Sequence, residues 1–541
     1  MKLSNLSVEL NIHTSTFAFV KKFLSKHGPL ILGLLLGVIS IYCFIFFYQN
    51  GLALSYNDAR SHLDIGRRVV EGLKPGLAQI GSVWLPLPHI LMIPTIWNDF
   101  MWHSGLAGSL QSMISFVATG LVIYMYLRAL GVGILGRLVG VAIFILNLNV
   151  LYMQSTAMTE LLLLGTMAAG TYFLLLWHRD DNVIDLIKSA FWIMMASLIR
   201  YDGWFLFVVA VMLIIAKSLR RKSYQATEGK VILFSTLAAF GIFLWFVWNW
   251  AIFKDPFYFA FGPFSAHSQQ KQLADAGVLV TKGNLLFSTK IYLYSLLYNS
   301  GAFTAILGLC GAIALWTDKN LKWNIRLGTL ALIAPFFFNI LALYLGHSVL
   351  FIQGLSGNSW FNVRYGLMLL PSIAIFIGYL THRLKSLRWS IVGLMAFVTF
   401  FSFTSADAVT IDDGRVGASQ KNVVQVSTWL HDHAKDQKGF VMISAASHDA
   451  IIFSSGLPMK KFIHEGTGLY WDNAIATPQK WARWIIMRTN DVNDLTFKEI
   501  KDKEILRYYT LVGQYEFADI YELKPEYADG LTTEPVFSNQ K

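Results

Sequence analysis

The stretch with the most chemistry in it is Ser55-Tyr56-Asn57-Asp58-Ala59-Arg60-Ser61-His62-Leu63-Asp64. Asp58 and His62 are four residues apart, so a helix would set a carboxylate and an imidazole on one face. A carboxylate in that place can take the proton from a hydroxyl that is becoming an alkoxide. The same residue could simply cap a helix starting at Ala59, a position that favours Asp. Asp58 and His62 could also be two metal ligands, but nothing else nearby has ligand spacing, so metal use stays open. Asp64 with Arg60 or Arg68 reads as a surface pair of little energetic weight.

Four further groups could join this chemistry. Glu160 ends Gln154-Ser155-Thr156-Ala157-Met158-Thr159-Glu160 at the start of an apolar run. There it would complement a helix dipole or act as a second acid orienting a substrate. Arg200 and Asp202 flank Tyr201 between two short apolar runs, where a salt bridge tying two half-helices is the simplest reading. Arg364, followed by Tyr365, offers a planar fork suited to phosphate; it could also snorkel to an interface. His267, Lys282 and His347 are weaker candidates for contacting a phosphate. His448-Asp449 and His464-Glu465 lie late in the chain, without the Gly-x-Ser-x-Gly context of a hydrolase nucleophile.

The elements that must hold these groups are membrane helices. Of 541 residues, 55% are hydrophobic and only 14% charged, and mean hydropathy is +0.49. A soluble domain does not carry that much apolar surface. The net charge of +11 is spread over short loops between apolar runs. That argues against nucleic acid as a partner and makes the side on which Lys and Arg fall the useful signal. Two cysteines, both inside apolar runs, exclude a disulfide framework.

Counting runs of about 20 apolar residues gives roughly eleven crossings: 29–49, 106–127, 132–148, 157–177, 184–198, 204–216, 231–253, 287–316, 327–346, 365–380 and 389–404. Residues 1–28 are then a cytoplasmic segment, preceding a retained first helix because Lys21, Lys22 and Lys26 lie before it. The membrane body is 29–404, with a first external loop at 50–102 containing a helix near 57–71 and an interfacial helix at 87–102. Composition turns polar at Ser405. From 405 to 541, short β-rich runs at 439–444, 460–464, 484–487 and 519–523 alternate with helical stretches, which predicts a small extracytoplasmic α/β domain. The fold class is thus a polytopic α-helical membrane protein with a C-terminal α/β domain.

That topology uses only hydropathy and basic residues, yet it puts Asp58, Asp64, Glu160, Arg200, Asp202, His267 and Arg364 on one side of the membrane. Ionisable groups near membrane depth are rare and costly, and their convergence points to a functional site.

With these motifs in order, the chain resembles the GT-C superfamily of integral-membrane glycosyltransferases, in the branch of protein O-mannosyltransferases, aminoarabinose transferases and RgtA/B/C/D-like enzymes. The likeness rests on Asn57-Asp58-Ala59 with His62, Thr159-Glu160, Arg200-Tyr201-Asp202-Gly203-Trp204, and Arg364-Tyr365 followed by 367–371, and it covers most of 29–404. The resemblance implies a polyprenyl-phosphate-linked sugar donor and an acceptor (protein, lipid or glycan) outside the cytoplasm. It implies Asp58 as the catalytic acid of the first loop and Arg364 as a donor-phosphate contact. Glu160 is the second catalytic candidate. His62, Arg200, Asp202, His267, Lys282 and Tyr365 are the substrate-side set. Many relatives carry two adjacent acids where this chain has Asn57-Asp58, which leaves open whether a divalent metal is used; no other cofactor is implied. The leaving lipid phosphate would need a cation. The anomeric carbon would pass through an oxocarbenium-like state, and one base suffices for direct displacement with inversion. Rival readings are a transporter or flippase for a lipid-linked glycan, which would show broken helices in both halves, and a non-catalytic membrane assembly protein.

Overall fold

The structure, a computed structural model, describes residues 27–220, 224–262, 265–275, 277–417, 423–491, 493–501 and 504–532. The expected cytoplasmic segment lies outside the described residues up to position 26. The fold is that of a polytopic helical membrane protein with a small mixed sheet near its C-terminal end.

Among the described residues, seven helices are long and apolar enough to cross a bilayer: His27–Gln49, Leu106–Ala129, Glu160–Asp180, Asp202–Leu219, Trp323–Leu345, Val363–Arg383 and Arg388–Val416. Two bent pairs raise the number to nine if each is one span. The sequence count of eleven differs for a physical reason. Ile134–Ile145 and Val183–Ser197, with 12 and 15 residues, rise only about 18 and 22 Å at 1.5 Å per residue. The run expected as one span at 287–316 is two helices, Leu285–Ser300 and Ala302–Thr317, meeting at 108°. Gly301 makes the corner with φ of +82°, a conformation in which most side chains are strained. The run at 231–253 bends by 43° between Tyr224–Ala238 and Phe240–Phe253.

Val363–Arg383 is the central helix, with 94% of its apolar window buried, whereas Arg388–Val416 at 11% and His27–Gln49 at 28% lie on the rim. Small residues let the centre close. A Cβ on Gly136 would come within 2.5 Å of the Gly378 carbonyl, and one on Gly140 within 2.9 Å of the Ala374 carbonyl. Such close backbone approach replaces the hydrophobic effect as the packing force between membrane helices.

The loop expected to be external, 50–102, folds as a helix, Asn57–Val70, a 3-10 turn, and two short helices, Leu87–Ile96 and Asp99–His103. Pro86 and Pro88 stand where a helix start tolerates a missing N–H. After the last span, Val409–Val416 leads into the sheet. Its strands are β1 (Phe440–Met442), β2 (Phe462–Ile463), β3 (Ala482–Met487), β4 (Tyr509–Gln514) and β5 (Asp519–Leu523), in the order β2-β1-β3-β5-β4. The first three are parallel and the last two pair antiparallel. Strand β4 lies outside the runs expected from the sequence. Its pattern of mostly exposed residues is that of an edge strand, which gives no clean apolar signal.

This sheet region rests on the external loop. Ser61 Oγ donates to Asp449 at 2.5 Å, Arg60 reaches Ser454 at 3.2 Å, and Gln79 donates to the Gly466 carbonyl at 2.7 Å. Helix Asn57–Val70 is therefore clamped between the membrane body and the C-terminal sheet.

Candidate functional site

Five separate chain segments bring their ionisable residues to one point. Arg364 lies in a 3-10 turn, Val363–Leu369, that opens the central span after Asn362 in left-handed conformation (φ +56°). The turn is held from behind: Asn299 donates to the Val363 carbonyl at 2.7 Å and Ser295 to the same oxygen at 2.8 Å. Gly366 sits so close that a Cβ would meet the Ser295 carbonyl at 2.3 Å. Only glycine allows the turn to press on helix Leu285–Ser300 and aim Arg364 inward.

From there Arg364 Nε donates to Glu160 Oε1 at 2.9 Å, and Nη2 donates to Asp58 Oδ2 at 2.7 Å. Nη1 lies 3.8 Å from Asp413 and has no hydrogen-bond acceptor. Glu160 is the first residue of its helix, with its side chain fully buried, and it also receives Arg200 Nη1 at 3.3 Å. Arg200 Nε in turn lies 3.5 Å from Asp202. Asp202 begins the next span across a tight corner in which a Cβ on Gly203 would clash with the backbone of Ala196 and Ser197. The Arg200 guanidinium covers the Tyr365 ring at 4.7 Å, and Arg364 covers Tyr56 at 5.0 Å. Asp58 is the outward member, its side chain 41% exposed while those of Glu160 and Arg364 are sealed.

Helix capping by Asp58 is not what the structure shows. The helix starts at Asn57 with Tyr56 extended before it, and no side chain caps it. Asp58 lies in the first turn, and its carboxylate is given to Arg364. His62, one turn on, is buried; its Nδ1 is 2.9 Å from His89 Nε2, and its ring packs on Trp84 at 4.3 Å. Burial first, then the fields of Arg364 and Arg200, pull its pKa down to about 3, so it is neutral at ordinary pH. Asp64 is wholly buried rather than a surface partner, and accepts from Trp102 Nε1 at 3.1 Å.

His267 and Lys282 form no ion pair with this group among the described residues. Both are exposed and gather about His347, which burial first, and then His267 and Lys282, hold below the usual imidazole range. Also among the described residues, no three His, Cys, Asp or Glu side chains gather as a metal-holding set.

Sequence reasoning missed Tyr56 and Asp413. The Tyr56 hydroxyl donates to the Thr410 carbonyl at 2.7 Å and to Asp413 Oδ2 at 3.2 Å. The available signals were the Asp412-Asp413-Gly414-Arg415 cluster just after the last span and an aromatic next to Asn57-Asp58. Asn149 was also missed; its Oδ1 accepts from both the Thr410 N–H and hydroxyl, at 3.0 and 2.8 Å.

No known family pattern and no curated protein matches this chain. Solved structures do. ArnT from Cupriavidus metallidurans bound to undecaprenyl phosphate superposes with a TM-score of 0.56 at 10% identity, over 93% of this chain and 99% of that one. Its apo form gives 0.52 at 10% identity, over 91% and 98%. The likeness spans both proteins almost end to end, and the chain therefore shares the fold of ArnT.

Proposed function

We propose that the protein is a glycosyltransferase that moves a sugar from a polyprenyl-phosphate-linked donor to an acceptor outside the cytoplasm. The observation that carries this reading is the arrangement of Asp58 and Arg364: a half-exposed carboxylate 2.7 Å from a guanidinium that is itself buried and fixed by Glu160. One polar end faces the outside and the other faces the membrane body. An acceptor hydroxyl can reach the first, and a lipid phosphate the second. The bound undecaprenyl phosphate of the ArnT complex supports a ligand of that class.

The chemistry follows from the geometry. Asp58 exchanges its contact with Arg364 for the acceptor hydroxyl and takes its proton. The acceptor oxygen bonds to the anomeric carbon as the bond from that carbon to the phosphate oxygen breaks, with inversion. The leaving phosphate keeps the electron pair, and Arg364 and Arg200 stabilise its charge. Arg364 Nη1, buried without an acceptor, is the free N–H for a phosphate oxygen. Glu160 is too deeply sealed to meet the acceptor, so it acts as a positioning residue that holds both arginines. Asp202 and Tyr365 hold Arg200. An aromatic wall supports the lipid end: Tyr201 stacks on Phe259, which contacts Trp204, Trp245 and Phe246, next to exposed Phe257. In this orientation the N-terminus is cytoplasmic and the C-terminal sheet lies outside.

The test is sugar transfer by the purified protein from a polyprenyl-phosphate sugar. Asp58→Asn should lower the rate by about 10²- to 10⁴-fold with donor binding retained, and undiminished transfer would remove Asp58 as the base. Cysteines placed at 415 and 454 should label from outside in intact cells; labelling only after permeabilisation would reverse the orientation.

A further inference from the structure

A second polar cavity adjoins the site without being part of it. It has a volume of about 550 Å³ and is lined by Asn50, Gly51, Leu52, Ser55 and Arg415. This is within the size range of small-molecule sites. Its walls come from the end of the first membrane helix and from helix Val409–Val416, which continues the last one. The cavity thus opens at the level of the outer membrane surface in the orientation proposed above.

Helix Val409–Val416 connects the two places. Asp413 is buried and faces Tyr56 and Arg364. Arg415, two residues on, is exposed and lines the cavity. Gly414 between them allows the contact: a Cβ there would meet the Tyr152 hydroxyl at 3.0 Å, Tyr56 at 3.1 Å and Ser55 at 3.3 Å. Ser55 lines the cavity, and its neighbour Tyr56 lies beneath the Arg364 guanidinium. Arg364 and Arg200 are each paired with carboxylates, and Arg60 is held by the Leu54 carbonyl, Asn57 and Ser454. Arg415 has no ion pair or hydrogen bond among the described residues. Asp412, on the same helix, feels its charge without reaching it. No acid lines the cavity.

We infer that this cavity binds an anionic group of the acceptor, a phosphate or carboxylate, through Arg415. The role as an acceptor subsite rests on the transferase reading; anion binding by Arg415 does not. An acceptor anchored here would extend past Ser55 and Tyr56 to present a hydroxyl at Asp58, the outward member of the site. A guanidinium fork selects an oxyanion over a neutral sugar. The same chemistry can come from an anionic lipid headgroup or from a free sugar phosphate.

The experiment uses the full chain in phosphatidylcholine nanodiscs. Glucose 1-phosphate, glucuronate and glucose are titrated against it by saturation-transfer NMR. In a parallel arm, nanodiscs of mixed phosphatidylcholine and phosphatidylglycerol are read by native mass spectrometry for retained lipid. The wild type should prefer at least one anionic probe over its neutral counterpart. Arg415→Gln should weaken that probe about tenfold or more, and Arg415→Lys should keep part of it. The arm that responds names the source. No preference for either anion, or full retention of it by Arg415→Gln, overturns the inference. Asp58→Asn leaves this binding unchanged, so the site and the transfer reading fail separately.

Discussion

One helix, Glu160–Asp180, carries a charge cluster at each end, and the two are built on different plans. At its C-terminal end Asp181, in left-handed conformation, receives Lys217 at 3.0 Å and Lys230 at 3.4 Å. Lys217 also donates to the Trp177 carbonyl at 2.7 Å and sits 3.8 Å over the Trp177 ring. At its N-terminal end four carboxylates, Asp58, Glu160, Asp202 and Asp413, surround the two guanidiniums of Arg200 and Arg364. There Glu160 Oε2, Asp202 Oδ1 and Arg364 Nη1 all lack hydrogen-bond partners. Buried polar atoms left unpaired cost roughly 1–3 kcal/mol each. At the lysine end the charged groups pair with one another and tie two helix ends together, and the unpaired buried atoms there, Trp177 Nε1, His178 Nε2 and Ser218 Oγ, belong to uncharged neighbours. At the arginine end the unpaired atoms belong to the charged groups themselves.

The widest separation between the two should come from Arg364→Lys. The ammonium keeps the charge but cannot bond Glu160, Asp58 and a phosphate together. Transfer should fall by about 10²-fold or more, the scale on which single charge-stabilising donors are lost, while the melting temperature moves little. A variant with near wild-type transfer would show that Arg364 is as structural as Lys217. Lys217→Met is the converse. Asp181 is part-exposed and keeps Lys230, so the cost is mainly that of leaving the Trp177 carbonyl without Lys217, about 1–3 kcal/mol. A drop in thermal stability is expected, with the surviving folded protein keeping its specific activity. Loss of activity beyond the loss of folded protein would join the two ends functionally.

Acid should act mainly on the outer face. His62 and His464 are both held to about 3, each by burial first; Arg364 and Arg200 add to the effect on His62, and Arg68 on His464. Their folded values lie below the unfolded value of 6.5. Each contributes stability that is present above pH 6.5 and is lost as pH falls toward 3. The slope is about 1.4 kcal/mol per pH unit for each histidine. Melting temperature should therefore decline from pH 6.5 downward, and His464→Asn should shallow the decline. A flat profile between pH 7 and 5 would mean that these imidazoles are not sealed as described.

Much of this arrangement is legible in the sequence because charge inside apolar runs is conspicuous. Asp58, Glu160, Arg200, Asp202 and Arg364 stand out for that reason, and the structure brings all five within one chain of contacts. Asp413 does not stand out. It sits in a polar stretch, where an acid is ordinary, and only the return of helix Val409–Val416 against the 3-10 turn buries it. Asp64 misleads in the opposite sense: a carboxylate between arginines on an amphipathic helix looks solvated, but the C-terminal sheet region covers it through Phe453 and Asp449. The same blindness explains the crossing count. Hydropathy reports how apolar a run is and says nothing about a corner such as Gly301, so two helices at 108° read as one long span.

The smallest expected effect tests how the arginine cluster is aimed. Asn299 touches no carboxylate and no guanidinium, but its amide nitrogen donates to both the Ser295 and Val363 carbonyls, at 2.8 and 2.7 Å. Its main-chain carbonyl accepts from Asn147 at 2.7 Å and Asn149 at 3.2 Å. Asn149 continues the chain of bonds to Thr410, three residues before Asp413. Asn299 thus links the turn that bears Arg364 to the helix that bears Asp413. Asn299→Leu removes the donor at similar volume, and the Val363 carbonyl keeps Ser295 as a partner. The net cost is about 0.5–1.5 kcal/mol. If the cost falls on the aim of Arg364, kcat drops a few-fold at nearly constant KM for the donor. Ser295→Ala, which deletes the other bond to the same oxygen, should give a similar drop. If it falls on general stability, the melting temperature moves and kcat per folded molecule does not. That second outcome would place the Asn299 network with the lysine end of the helix, as scaffold alone.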